Sequence, residues 1–368
     1  MNVALLISAF AFLMAESGGS GSRFQITDDE FGGLHLKVLR NSATGESASV
    51  IYDMGGRIES LELLATPRSS SLRPILWTHD RNATAARENE SWRGQFLLPY
   101  ASRVSRATYE FYNSTYHLPM NEPERENALH GLLFNKTLTV LDQTADNRRA
   151  QLKLGYNFTG KDEGYPFLLD LTIDYILEHN VLLNRSQFSV QLTFENQMPN
   201  APLPLSVGWH PYFLSTVYKT RVTLDECTHW NHVIWANNSN IDSSLIPTGL
   251  TNVWTNFTGE ENKSIGGTTT NPTYFDDEFI PIEDERTCAL YRSRIYDPTA
   301  VGGGTIVLWQ NSAFRFVHVY TGGRSRWGID AVAVEPQSGM TNCFNNHDGL
   351  VILSGGQRWT GMFGIYIE

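Results

Sequence analysis

Two histidines and one carboxylate in this chain stand among residues that would hold them still. His130 lies in Ala128-Leu129-His130-Gly131, His210 in Gly208-Trp209-His210-Pro211-Tyr212-Phe213, and Glu335 in Val334-Glu335-Pro336-Gln337. An imidazole titrates at about pH 6.5 and a carboxylate lower, so such a set can give and take protons on a small polar substrate. Pro211 biases His210 towards an extended backbone, Pro336 fixes the chain leaving Glu335, and Gly131 admits a backbone angle other residues resist. Arg103, in Leu98-Pro99-Tyr100-Ala101-Ser102-Arg103-Val104, offers a planar donor fork whose charge never leaves. Asp276, in Tyr274-Phe275-Asp276-Asp277-Glu278-Phe279, offers an acceptor, although the acidic run leaves Asp277 as an alternative. Taken one at a time, these residues read equally as a surface ion pair, a structural histidine and a solvated acidic turn.

The elements that must position them are strands. Leu34 to Leu39, Ala107 to Phe111, Leu168 to Leu177, Phe188 to Phe194, Thr305 to Trp309 and Phe314 to Tyr320 carry apolar or β-branched residues at every second position, the pattern of half-buried strands. Helical periodicity is nearly absent, so the expected fold is all-β, a large antiparallel β-sandwich presenting one sheet face as a binding surface. Asn113-Ser114 and Glu178-His179-Asn180 read as hairpin turns. Thr78 to Glu90 and Thr258 to Pro272 read as surface insertions. With no repeat or low-complexity tract, residues 24–368 are expected to form one domain.

Composition narrows the function. At 368 residues and 41% hydrophobic, the chain can bury a large core, while a net charge of -11 without a basic cluster excludes nucleic acid and anionic membranes as natural partners. Val3 to Ala15 is an apolar run too short to span a bilayer, ending in Ala15-Glu16-Ser17, and residues 1–17 are expected to be a signal peptide. Nine Asn-x-Ser/Thr sequons, at Asn82, Asn89, Asn113, Asn135, Asn157, Asn184, Asn237, Asn256 and Asn262, exceed the roughly four that chance supplies. Both features point to a secreted protein or one in the secretory lumen. Cys227, Cys288 and Cys343 are too few for a disulfide scaffold. His229-x-x-His232 has metal-like spacing but no third ligand nearby, and Gly302-Gly303-Gly304 precedes no helix that could cradle a phosphate.

Taken in order, these segments resemble the aldose 1-epimerase (galactose mutarotase) family: its Pro-Tyr-x-Asn-Arg-Ile, Asn-x-Leu-His-Gly, Gly-x-His-Pro-Tyr-Phe, Pro-Thr-Gly followed by Asp, and Glu-Pro-Gln-x-Gly. Ser102 stands where the family carries Asn. The resemblance implies that Glu335 is the general base and a protonated His210 the acid, with Arg103, His130 and Asp276 binding a free aldose. It implies no metal and no nucleotide cofactor. Two further readings stay open: a noncatalytic carbohydrate-binding protein of the same fold, and a hexose-phosphate epimerase or glycoside-processing relative. Oligomeric state and preferred hexose are not legible.

Overall fold

In the computed structural model, alternation becomes antiparallel sheet; the structure describes residues 22–66, 69–224, 230–235, 244–254, 265–267, 270, 274–281 and 290–368. Phe24–Phe31, Leu34–Asn41, Ser47–Ile51, Arg57–Leu64 and Leu72–Pro74 form a five-stranded meander. An eight-stranded sheet then runs in the order Thr139–Ala145, Arg149–Thr159, Leu168–Asn180, Arg185–Asn196, Arg358–Ile367, Thr305–Asn311, Leu290–Tyr296 and Arg221–Thr223. A second one runs Pro247–Trp254, Trp230–Trp235, Asp276–Pro281, Phe316–Tyr320, Ala331–Gln337, Gly208–His210 and Gln95–Leu97, with Tyr212–Leu214 also paired to Ala331–Gln337.

The two large sheets pack face to face, as Trp209 stacking on Phe363 at 4.8 Å and Phe96 meeting Tyr175 at 6.1 Å show. Strand periodicity of two decides what each face carries. On the second sheet, Trp209, Phe279, Val317, Val319, Val332 and Val334 join the main core. The intervening positions, His210, Asp276, Glu278, His318, Tyr320, Ala333, Glu335 and Gln337, therefore share the opposite face. The all-β sandwich is as expected from the alternation.

Several local expectations need correction. The hairpin turn falls on Tyr112-Asn113, both at positive φ (46° and 61°), and Ser114 already pairs with Phe111. The next strand likewise runs on through Asn180, which pairs with Arg185. Asn180 starts the turn with its side chain, accepting from the backbone N–H groups of Leu182 and Leu183. Thr78 to Glu90 is no loose insertion: it holds the short helix Ala83–Glu88, and buried His79 binds Glu59 at 2.8 Å and Asn89 at 3.1 Å. Cys343 is buried and free. The signal segment, Cys227, Cys288, His229, the sequons at Asn237, Asn256 and Asn262 and most of Thr258 to Pro272 lie outside the described residues.

Candidate active site

The open face of the second sheet ends in a cavity of about 260 Å³ lined by all five residues singled out above, Arg103, His130, His210, Asp276 and Glu335. Sequence neighbours explain how each arrives there. His210 closes the Gly208–His210 strand, with Gly208 opposite Gln337 and Tyr212 opposite Ala333, so that the break at Pro211 leaves His210 beside Glu335. His130 sits at φ 62° and is followed by Gly131 at φ 80°, whose absent Cβ would lie 2.1 Å from the Leu98 carbonyl oxygen. Only glycine fits that approach, and it aims the preceding imidazole inward. The His130 N–H also donates to the Ser102 carbonyl at 2.9 Å.

His210 Nε2 and Glu335 Oε1 are 3.4 Å apart, and both side chains are almost fully buried. Gln337 Nε2 donates to the other Glu335 oxygen at 3.2 Å. Tyr212 stacks on the His210 ring at 4.9 Å, while His130 meets that ring edge-on at 5.3 Å and is itself backed by Trp92 at 5.1 Å. Burial raises the Glu335 carboxyl, and the neighbouring Asp276 charge adds to that against the opposing pull of His318. Burial lowers His210, and the positive charges of His318 and Arg103 lower it further. Both shifts favour the carboxyl over the imidazole as holder of the pair's proton, so the protonated His210 expected from the sequence is the less stable of its two placements.

Arg103 is no surface ion pair, being only 8% exposed. Its Nε lies 2.9 Å and its Nη2 3.1 Å from the Glu122 carboxylate, which also accepts from Asn127 Nδ2 at 2.9 Å. Nη1 faces Asp276 at 3.8 Å. The two aspartates fall on opposite faces of their strand. Asp276 lines the cavity and accepts from His318 Nε2 at 2.9 Å, whereas Asp277 pairs with Val319, whose alternation turns it to the other face. Burial would raise Asp276, but the Arg103 guanidinium and the His318 hydrogen bond hold it well below the usual carboxylate range. Ser102 lines the cavity too, with its hydroxyl accepting from Thr341 Oγ1 at 2.8 Å.

Sequence reasoning missed His318, Glu122, Trp92, Tyr320 and Trp327, all of which line the cavity. His318 carried a usable signal, since it occupies the same phase as Phe316 and Tyr320 in an alternating strand whose other phase is Val317 and Val319. An imidazole in that phase must share whatever surface the aromatic residues share. Glu122 carried none, because its role depends on a fold-back against Arg103.

Comparison with known proteins places this geometry among others. The sequence profile described as aldose 1-epimerase matches residues 38–366. The uncharacterized Escherichia coli (strain K12) protein YihR is 27% identical over 280 residues, covering 74% of this chain and 78% of YihR. Among solved structures, a galactose mutarotase-like protein from Clostridium acetobutylicum superposes with a TM-score of 0.71 at 20% identity, covering 94% of this chain and 99% of the other. Galactose 1-epimerase from Lactobacillus acidophilus gives 0.68 at 14%, covering 95% and 99%. At these identities the structures testify to the fold alone.

Proposed function

Because the chain belongs to the aldose 1-epimerase family, we propose that it interconverts the α and β anomers of a free aldohexose by acid/base ring opening. The 3.4 Å approach of His210 to Glu335 inside a polar cavity carries this reading. Glu335 takes the proton of the anomeric hydroxyl while His210 supplies one to the ring oxygen; the C1–O5 bond breaks and an open-chain aldehyde forms. Rotation about C1–C2 presents the other carbonyl face, and the same two groups reverse roles as the ring recloses. Protons balance when the pair holds one in total, placed on His210 at the moment of reaction.

Arg103, His130 and Asp276 are the proposed hydroxyl partners. Asp276, held as a carboxylate, accepts from a sugar hydroxyl, and Trp92 and Tyr212 supply apolar walls for the C–H faces of the ring. A phosphorylated sugar is a poorer fit, since Arg103 is already engaged by Glu122 and Arg125 lies 3.3 Å from the same carboxylate.

Polarimetry of freshly dissolved α-D-glucose and α-D-galactose tests the proposal, with Glu335→Gln and His210→Asn as controls. Wild type should relax the rotation faster than buffer, and each variant should lose about a hundred- to ten-thousand-fold of that acceleration while keeping its near-ultraviolet circular dichroism. Absence of acceleration by wild type, with sugar binding still seen by calorimetry, would assign a carbohydrate-binding protein instead.

A further inference from the structure

One ionisable row crosses the site that neither Glu335 nor His210 accounts for. In the antiparallel register, Glu278 lies opposite His318 and His318 lies opposite Glu335, so three titratable side chains stand side by side on neighbouring strands and on one face. With His210 beyond Glu335, the base is flanked by an imidazole on each side. His318 is 4% exposed and donates from Nε2 to Asp276 Oδ1 at 2.9 Å. Glu278, fully buried, accepts the Thr341 N–H on both oxygens at 3.1 and 3.0 Å.

Resting on the proposed function, we infer that His318 is a positioning residue of this site: an imidazolium held between Asp276 and Glu335 whose charge keeps Glu335 available as a carboxylate base. Buried cross-strand neighbours interact strongly because little water screens them. The groups facing His318 are Asp276 and Glu278 from one neighbouring strand and Glu335 from the other, with His210 from the strand beyond Glu335, His130 and Arg103 from the segments that complete the cavity, and Tyr320 on its own strand. Burial works against its charge, but the hydrogen bond to Asp276 and the carboxylates of Glu335, Asp276 and Glu278 outweigh it and raise His318 to about 9. The same charge opposes the effect of burial on Glu335 and discourages a proton on His210. Without it, a carboxyl this deep would hold its proton more tightly and accept the anomeric proton less readily. The 2.9 Å bond also orients Asp276 Oδ1, so His318 fixes one proposed sugar contact while tuning the base.

His318→Gln keeps a donor towards Asp276 and removes the charge. Losing a nearby cation raises the proton affinity of Glu335 and His210 alike, so the pH profile of kcat/KM should move bodily to higher pH by about one unit, a tenfold change in proton affinity. A variant profile that is merely lower, and superimposes on wild type after scaling, would reduce His318 to packing. A second readout needs no turnover: the ring carbon resonances of the wild-type histidines, assigned by His318→Gln and His210→Asn, followed against pH. His318 should remain protonated through pH 8 and titrate lower in Glu335→Gln. A neutral His318 at pH 7 overturns the inference even if the protein is an active mutarotase, whereas a charged His318 in a protein that turns over no sugar overturns the proposed function and leaves the charge itself standing.

Discussion

A carboxyl group and an imidazole 3.4 Å apart can share one proton, and only that state holds both an acid and a base. Adding a second proton silences Glu335; removing the last leaves His210 nothing to donate. With Glu335 raised to about 7 by burial and His210 lowered by burial and by the His318 charge, the pair keeps a single proton below neutrality and loses it above. Corrected for the uncatalysed rate, kcat/KM is thus expected to decline as pH rises past the neutral region; a steady climb to pH 9 would remove His210 as donor. Ser102 carries a second prediction. It sits at φ 54°, an angle asparagine adopts far more readily than serine, and it lines the cavity with its hydroxyl bound to Thr341. Ser102→Asn should restore amide reach to the sugar and lower KM severalfold with kcat little changed; a raised KM would show that the Thr341 bond matters more. All five expected residues line the cavity; His130, His210 and Glu335 stood out because a Gly or Pro constrains each of their strings, whereas the acidic run around Asp276 left Asp277 open. The phase of His318 in its strand was legible too, but its role was not, since that depends on what stands opposite it on two other strands.

At the scale of elements, turns position the chemistry more than strands do. Gly131 carries both a positive φ and an approach that leaves no room for a Cβ against Leu98, so Gly131→Ala should displace the turn that aims His130. A lowered melting temperature together with a raised KM is the expected result, and an unchanged KM would detach that turn from substrate binding. The docked segment Thr78 to Glu90 makes a parallel case. Its anchor is His79, clamped between Glu59 and Asn89, and the chain leaving Asn89 delivers Trp92 against His130. His79→Ala should therefore raise KM more than it lowers kcat, as titration of initial rates against sugar concentration will show. Composition misled here: a charged stretch with two sequons reads as solvated, and the carboxylate that buries it lies 20 residues upstream. Hairpin turns were misplaced by a residue or more for a related reason. Asn180 and Asn113 were correctly marked as turn formers, but where pairing stops depends on the partner strand.

For the whole molecule, alternation made the all-β class legible, whereas the sheet order was hidden because long-range pairing leaves no trace in a single strand's pattern. The sequons bear on the secretory route we carry as a proposal. Asn82, Asn113, Asn135, Asn157 and Asn184 are exposed, while Asn89 is buried, accepting from the Arg93 N–H at 2.9 Å and meeting His79. Secreted from a eukaryotic host, the protein should carry glycan at several of the exposed five and none at Asn89, read by mass spectrometry before and after enzymatic deglycosylation; an unmodified secreted chain would leave the sequon excess without purpose. The row of Glu278, His318 and Glu335 has a separate consequence. In a pleated sheet, sliding one strand by a single residue exchanges its two faces. Slipped once, the last of these strands would offer valine to the cavity and drive its glutamate into the oil between the sheets. A population slipped in this way would keep nearly native strand content and lose the cavity's carboxylate, so on the proposed function the rotation of polarised light by a relaxing sugar solution becomes a gauge of whether the sheet has been threaded correctly.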